Sequence, residues 1–256
     1  MSYRASAARA ALITAAFLGG APAASAQSSG DGFLFRRPVG TFTIRGGYDR
    51  AIAGSDFFSE VTRELTLDRS SFSSPAVGAD LAFTLRDRID LTLSTTFARA
   101  TRDSEYRGFV GDDETGSAIA QRTSFTRLPV TAALRYYLAP RGERVGTFAW
   151  VPRNLAPFVG AGGGGVYYRL QQTGEVIVEN SAGELRAVPA NLNSSGWAGA
   201  LLGSAGVDLS LSPRFLLTTE LRYTRASAPL NTRSFAGLDP LDLSGAAVTA
   251  GLSVRF

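Results

Sequence analysis

The chain has 256 residues, 45% of them hydrophobic and 19% charged, which excludes a disordered protein and leaves room for one or two domains. It contains no cysteine and no histidine, which removes disulfides, thiolate metal sites, cysteine nucleophiles and every Ser–His or His–Asp dyad. All 26 basic residues are arginine, and the formal charge of +4 would point to nucleic acid only if it lay on one face.

The N-terminus has the three parts of a secretory signal. Arg4 and Arg9 are followed by the apolar run Ala10 to Gly20 and by Ala24-Ser25-Ala26, an A-x-A cleavage site. Residues 1–26 are therefore expected to be removed before Gln27. Gly19, Gly20 and Pro22 would break a helix of the fold there. Residues 27–38 read as a short periplasmic lead and residues 39–256 as one barrel domain. No other stretch has about 18 uninterrupted apolar residues, the minimum for a spanning helix.

Alternation with period 2 dominates residues 39–256. The first segment, Thr41 to Tyr48, sets Phe42, Ile44 and Tyr48 against Thr41, Thr43 and Arg45. The second, Val77 to Leu85, sets Leu81 and Phe83 against Asp80 and Thr84. The third, Ile89 to Phe97, sets Leu91, Leu93 and Phe97 against Asp90 and Thr92. The fourth, Leu128 to Leu138, sets Val130, Leu134 and Tyr136 against Thr131, Arg135 and Tyr137. The fifth is Phe158 to Leu170, containing Gly160-Ala161-Gly162-Gly163-Gly164-Gly165. In the sixth, Trp197 to Leu209, Trp197 and Leu201 oppose Ser204 and Asp208. In the seventh, Phe215 to Tyr223, Phe215 and Leu221 oppose Glu220 and Arg222. In the eighth, Val248 to Phe256, Leu252, Val254 and Phe256 oppose Thr249, Gly251 and Arg255.

These eight strands are joined by connections of alternating length. Arg86-Asp87-Arg88 and Ser212-Pro213-Arg214 are short, and Ala139 to Asn154 is intermediate. Ala51 to Ser74, Arg102 to Thr123, Gln171 to Ser194 and Ala226 to Leu243 are long and polar. The pattern predicts an all-β fold: an eight-stranded antiparallel up-and-down transmembrane β-barrel with short periplasmic turns and long extracellular loops. Helical periodicity is nearly absent.

Alternation alone also fits a soluble barrel with its apolar face inside. Three features separate the two. Aromatics on the apolar faces lie at strand ends: Tyr48, Phe97, Tyr168, Trp197 and Tyr223 toward the long loops, and Tyr136, Phe158, Phe215 and Phe256 toward the short turns. That predicts two aromatic girdles. The polar faces carry Arg45, Asp80, Asp90, Arg135, Asp208, Glu220, Arg222 and Arg255, which in a membrane barrel must pair inside the lumen. The chain ends on a strand with Thr249, Gly251, Val254 and terminal Phe256, similar to the C-terminal signal that the barrel-assembly machinery reads.

The stretches "LPVTAALRYYL" (Leu128 to Leu138), "PFVGAGGGGVYY" (Pro157 to Tyr168) and "ELRYTR" (Glu220 to Arg225) resemble strands of the small eight-stranded Gram-negative outer-membrane barrels. The likeness is to outer membrane protein X and to the transmembrane domain of outer membrane protein A. It implies outer-membrane localisation, and contact with outer-membrane lipid and lipopolysaccharide. It covers the mature chain, which ends at the eighth strand without the peptidoglycan-binding domain of the second type. Enzymes of such barrels rely on a histidine at the catalytic centre, and this chain has none.

Asp80, Asp90, Asp208 and Glu220 remain as carboxylates for acid–base chemistry, against which stands a simple ion-pair ladder with the lumen arginines. The glycine run satisfies G-x-G-x-x-G, but a strand-like segment comes after it and no helix opens there to hold a pyrophosphate. It reads instead as the bare middle of the fifth strand, with Gly160, Gly162 and Gly164 expected to face lipid and Gly163 and Gly165 the lumen. The four long loops hold 14 of the 22 acids and seven arginines. The outside is thus acidic, and "GDDETG" (Gly111 to Gly116) is its densest patch, a solvated loop without the ligand spacing of an EF-hand. The reading implies no cofactor, no bound metal, no nucleic acid and no catalysis. It gives a structural anchor presenting acidic loops for surface interaction or adhesion, with a narrow channel or lateral exit for small or hydrophobic solutes as the alternative.

Overall fold

The computed structural model describes residues 32–110, 118–179, 185–235 and 237–256, with side chains at all of these except 108–110, 118, 178, 179, 185 and 186. In chain order the elements are β1 (Gly40–Ala51), α1 (Asp56–Glu64), a 3₁₀ turn (Arg69–Phe72), β2 (Ser74–Arg86), β3 (Ile89–Val110), β4 (Ala118–Tyr137), β5 (Gly142–Val145), β6 (Ala149–Pro152), β7 (Leu155–Glu179), β8 (Leu185–Ser210), β9 (Phe215–Ala228), β10 (Leu241–Asp242) and β11 (Gly245–Arg255). Eight of these strands pair antiparallel in the ring β1-β2-β3-β4-β7-β8-β9-β11, and β11 pairs back with β1. Closure leaves no free edge around the ring.

The polarity of the wall is inverted relative to a soluble barrel. Ile44, Val77, Leu134, Leu201, Leu221, Val248 and Leu252 are exposed on its outside, whereas Thr43, Arg45, Asp80, Arg135, Glu220, Arg222 and Ser253 are buried within. Successive side chains alternate across a strand, so one face of each must line the lumen.

The fifth predicted strand, now β7, is out of phase with expectation. Ala156, Phe158, Val166, Tyr168 and Leu170 are buried, and Val159 and Ala161 are exposed. Gly160, Gly162 and Gly164 therefore share the lumenal face, and Gly163 and Gly165 face out toward Leu201 and Trp197. Consecutive glycines carry no alternation, so nothing in the run itself fixes the phase. The close approach of β4 explains why side chains are absent: a Cβ on Gly162 would lie 2.1 Å from the Ala132 carbonyl oxygen, and one on Gly164 2.2 Å from that of Val130. The two backbones come together here as in a sharply coiled wall.

Three further differences concern the connections. Most of the expected loops Arg102 to Thr123 and Gln171 to Ser194 is strand: β3–β4 pairing continues to Glu105↔Ala120, and β7–β8 pairing to Glu179↔Leu185. A polar hairpin in water satisfies its backbone as well as one in lipid does, and polar residues on both faces hide its period. The first long loop holds α1, which starts at Ser55 and carries Asp56 in its first turn and Arg63 in its last, matching the helix dipole. The intermediate connection holds the hairpin β5–β6, onto which Leu34 bridges by mutual main-chain hydrogen bonds with Trp150 at 2.9 and 2.8 Å. "GDDETG" lies outside the described residues.

Candidate functional site

The lumen is layered. In its middle, period 2 brings Glu220 and Arg222 onto one face of β9, opposite Arg45 of β1, Asp80 of β2 and Arg135 of β4. One Glu220 oxygen lies 3.4 Å from Arg45, 3.4 Å from Arg135 and 3.1 Å from Arg222. Asp80 lies 3.1 Å from Arg45 and 3.5 Å from Arg222. Hydroxyls take further arginine donors: Arg45 donates to Thr96 at 2.7 Å, and Arg222 to Ser94 at 3.3 Å. Two carboxylates thus hold three guanidinium groups in a buried layer, where a lone charge would cost several kcal/mol (roughly 3–5 if its partner were removed).

Toward the short turns lies an aromatic and ionic floor. Phe158 packs edge-on to Tyr137 at 5.7 Å and lies under the Arg135 guanidinium at 3.9 Å. Its cross-strand partner is Gly206, where any Cβ would meet the ring at 2.5 Å. This is why Phe158 points in: it fills the space that Gly206 leaves and covers a cation. Asp208 accepts hydrogen bonds from Tyr137 at 2.9 Å and Thr218 at 2.8 Å. Asp90 pairs with Arg141 at 2.7 Å. Arg255 donates to Ser210 at 2.7 Å and to the main-chain oxygens of Ser212 and Pro213.

Toward the long loops, Arg127 pairs with Asp49 at 2.9 Å and donates to the carbonyls of Leu243 and Ser244. Above that pair the interior turns apolar. Phe57, Phe58 and Val61 of α1 pack with Phe72, Phe125, Val166, Tyr168, Leu170, Phe235 and Leu241 in one buried cluster. Phe58 meets Phe72 at 4.7 Å and Phe125 at 5.6 Å, edge to face. Tyr168 belongs to this cap, its hydroxyl donating to the Pro229 carbonyl at 2.7 Å. The cap closes one end of the lumen and the aromatic floor the other.

Of the eight sequence-predicted lumen charges, Arg45, Asp80, Arg135, Glu220 and Arg222 thus form one cluster. Asp90, Asp208 and Arg255 lie in the floor, each with its own partners. The structure adds Asp49, Arg127 and Arg141 to the interior. The first two sit in phase with Arg45 and Arg135 one step beyond the predicted strand limits, so extending the alternation would find them. Arg141 enters from a loop and leaves no periodic signal. Each of the four carboxylates considered for acid–base work is engaged: Asp80 and Glu220 share Arg45 and Arg222 in the middle layer, Asp90 pairs with Arg141, and Asp208 accepts from Tyr137 and Thr218.

On the exterior, Tyr48, Phe97, Tyr136, Trp197, Phe215 and Tyr223, all of them named for the girdles, are exposed. Phe158 and Tyr168 are not; Tyr167, packed 5.6 Å from Trp197, takes the outward place in β7. Of the C-terminal positions, Thr249 and Gly251 face the lumen, and Val254 and Phe256 face out. The Phe256 carbonyl accepts from Val39 at 2.8 Å and from Gly40 at 3.2 Å, tying the last residue to the start of β1.

Fold and interior together define a closed, internally plugged eight-stranded β-barrel with an apolar exterior. No protein-family model matches the chain, and no curated protein does. Among solved structures it is similar to Ail, the attachment invasion locus protein of Yersinia pestis, with 13% identity over 85% of this chain and 99% of that one, and a TM-score of 0.41. Neisserial surface protein A shows 12% identity over 84% and 97%, with a TM-score of 0.40. Outer membrane protein W of E. coli shows 14% identity over 86% and 100%, with a TM-score of 0.38. These likenesses assign neither ligand nor activity.

Proposed function

We propose that this protein is a non-enzymatic outer-membrane barrel that anchors a surface-exposed β-extension for interaction with a partner. The inverted wall supports membrane residence, because apolar patches of this extent are not left in water. The observation that carries the anchoring role is the unequal height of the wall. The β8–β9 ladder ends at Ala200↔Ala226, whereas β8 continues to Leu185, paired with β7. Among the described residues, β8 from 187 to 192 has no ladder partner on its other side, and Pro189 lies within that edge, as in other edge strands. A rigid barrel below and an open strand edge above suit recognition rather than passage.

Residues 1–26 supply the export signal in this reading, and Thr249, Gly251, Val254 and Phe256 the segment read by the assembly machinery. Lipid and lipopolysaccharide surround the girdles. The test is a pull-down on intact cells with a variant in which residues 174–190 are replaced by a two-residue turn, joining β7 and β8 at Thr173↔Asn191. Loss of surface partners with the barrel still folded supports the reading; unchanged capture removes it. A protein that stays soluble without detergent would overturn membrane residence itself.

A second reading, lateral exit of a hydrophobic solute, is favoured by a notch of about 580 Å³ where β8 leaves β9, lined by Gly164, Gly199, Leu201, Arg225 and Ser227. If Gly199→Trp leaves the uptake of apolar solutes into protein-loaded liposomes unchanged, this reading fails.

A further inference from the structure

Guanidinium groups gather at the short-turn end. A cavity of about 430 Å³ opens there, lined by Arg37, Arg88, Arg141 and Arg144, with Asp87 as the one acid among its described lining residues and Trp150 in its wall. Two of the four cations are already held. Arg37 pairs with Asp87 and donates to the Arg86 carbonyl at 2.8 Å. Arg141 pairs with Asp90, donates to Thr84 at 3.2 Å and stacks 4.6 Å over the Tyr137 ring. Arg88 and Arg144 are exposed, and among the described residues neither guanidinium has a hydrogen-bonding or ionic partner.

The frame around them is fixed by three chain segments. Arg144 lies directly across from Trp150 in the β5–β6 hairpin, and Trp150 is bonded in turn to Leu34. Arg88 belongs to the tight β2–β3 turn, where its carbonyl accepts from the Tyr137 amide at 2.8 Å. Like charges brought to one cavity repel unless an anion joins them. Guanidinium forks match phosphate oxygens in geometry as well as charge. Leu85, Leu138 and Leu155, all exposed, adjoin this end of the wall.

We propose that this cavity is a binding site for a phosphate-bearing anion, with Arg88 and Arg144 as its free donors and Arg37 and Arg141 as its pre-positioned ones. The phosphate comes either from a headgroup of the leaflet at the short turns or from a soluble phosphate ester. The headgroup source rests on the membrane reading above; the site itself does not.

Trp197→Phe leaves Trp150 as the sole tryptophan and hence a reporter in the cavity wall. With the full chain folded in zwitterionic micelles, inorganic pyrophosphate is expected to change Trp150 emission saturably. Arg88→Ala/Arg144→Ala is expected to weaken the response about tenfold or more, and the far-end variant Arg63→Ala to leave it unchanged. No saturable response, or an equal response in the double variant, overturns the proposal. Repeating the titration in bilayer discs separates the sources. A response abolished by phosphatidylglycerol but not by phosphatidylcholine supports a lipid phosphate, and an equal response in both supports a soluble ester. Failure to enter discs would count against membrane residence while the micelle titration still judged the site.

Discussion

Glu220 and Arg222 form an ion pair at 3.1 Å with a single residue between them on β9. The contact is possible because alternation puts both on the lumenal face. Glu220 is shared further with Arg45 and Arg135 from the far side of the barrel. Replacing it by Gln leaves three buried guanidinium groups with Asp80 alone. Glu220→Gln is expected to destabilise the barrel by about 3–5 kcal/mol. Urea unfolding in lipid vesicles measures this, and a loss near zero would mean that water, not Glu220, screens these charges.

The glycines of the wall separate into two kinds. A Cβ at Gly162 meets backbone, whereas one at Gly199 meets nothing within 4 Å. Gly162→Ala is expected to cost about 1–3 kcal/mol through overpacking. Gly199→Ala is expected to be neutral or to stabilise by about 0.4–1 kcal/mol through the unfolded chain. Equal effects in the same unfolding assay would refute the tight β4–β7 approach.

Phe58 anchors the apolar cap. Phe58→Ala is expected to remove about 3–5 kcal/mol of packing from the cap. The loss should appear as faster hydrogen exchange in Asp56–Glu64, with the exchange of β1 and β11 unchanged. Conductance in planar bilayers should stay absent, because the Glu220 layer still fills the lumen below. Channel openings in this variant would show that the cap alone blocks the pore.

Asp68 caps the 3₁₀ turn. Hydrogen bonds from the Ser70 hydroxyl and the Ser71 amide hold its carboxyl below the usual carboxylate range. A depressed folded-state pKa adds stability above the unfolded value, about 4, and loses it as pH falls through the folded value. Protection of the Ser71 amide is therefore expected to be full at neutral pH and to fall below about pH 4. Asp68→Ala should abolish that pH dependence. A Ser71 amide equally protected on both sides of this range would show that the Asp68 carboxylate does not hold the turn.

The faces are legible in the sequence wherever alternation is a physical requirement. In β1, β2, β9 and β11 one face meets apolar surroundings and the other a crowded polar lumen, so period 2 assigns each side chain to the side it occupies. In β7 the glycines erase the phase, and Phe158 and Tyr168 read as outward residues because bulky aromatics are expected at the wall's exterior. Their reasons for facing in are the bare Gly206 opposite one and the Pro229 carbonyl above the other, neither visible along the strand. The helix leaves little trace in the sequence because its nine residues, Asp56–Glu64, bury only Phe57, Phe58 and Val61, too short a stripe among polar neighbours. Arg141 reaches Asp90 from a loop, and no period announces a loop residue.

The position of Glu220 bears on how the chain comes together. In a β8–β9 hairpin alone, Ser204 bonds it and Arg222 is its one cationic partner. Its bond to Arg135 spans 85 residues of sequence and that to Arg45 spans 175, and the second exists only once β1 has met β11. An unsealed sheet would thus carry an incompletely neutralised layer, so partly zipped intermediates gain little and the final seam gains much. Contacts of such sequence separation slow folding. Here they also make the last pairing, between Gly40–Ala51 and Gly245–Arg255, the step that commits the whole ring.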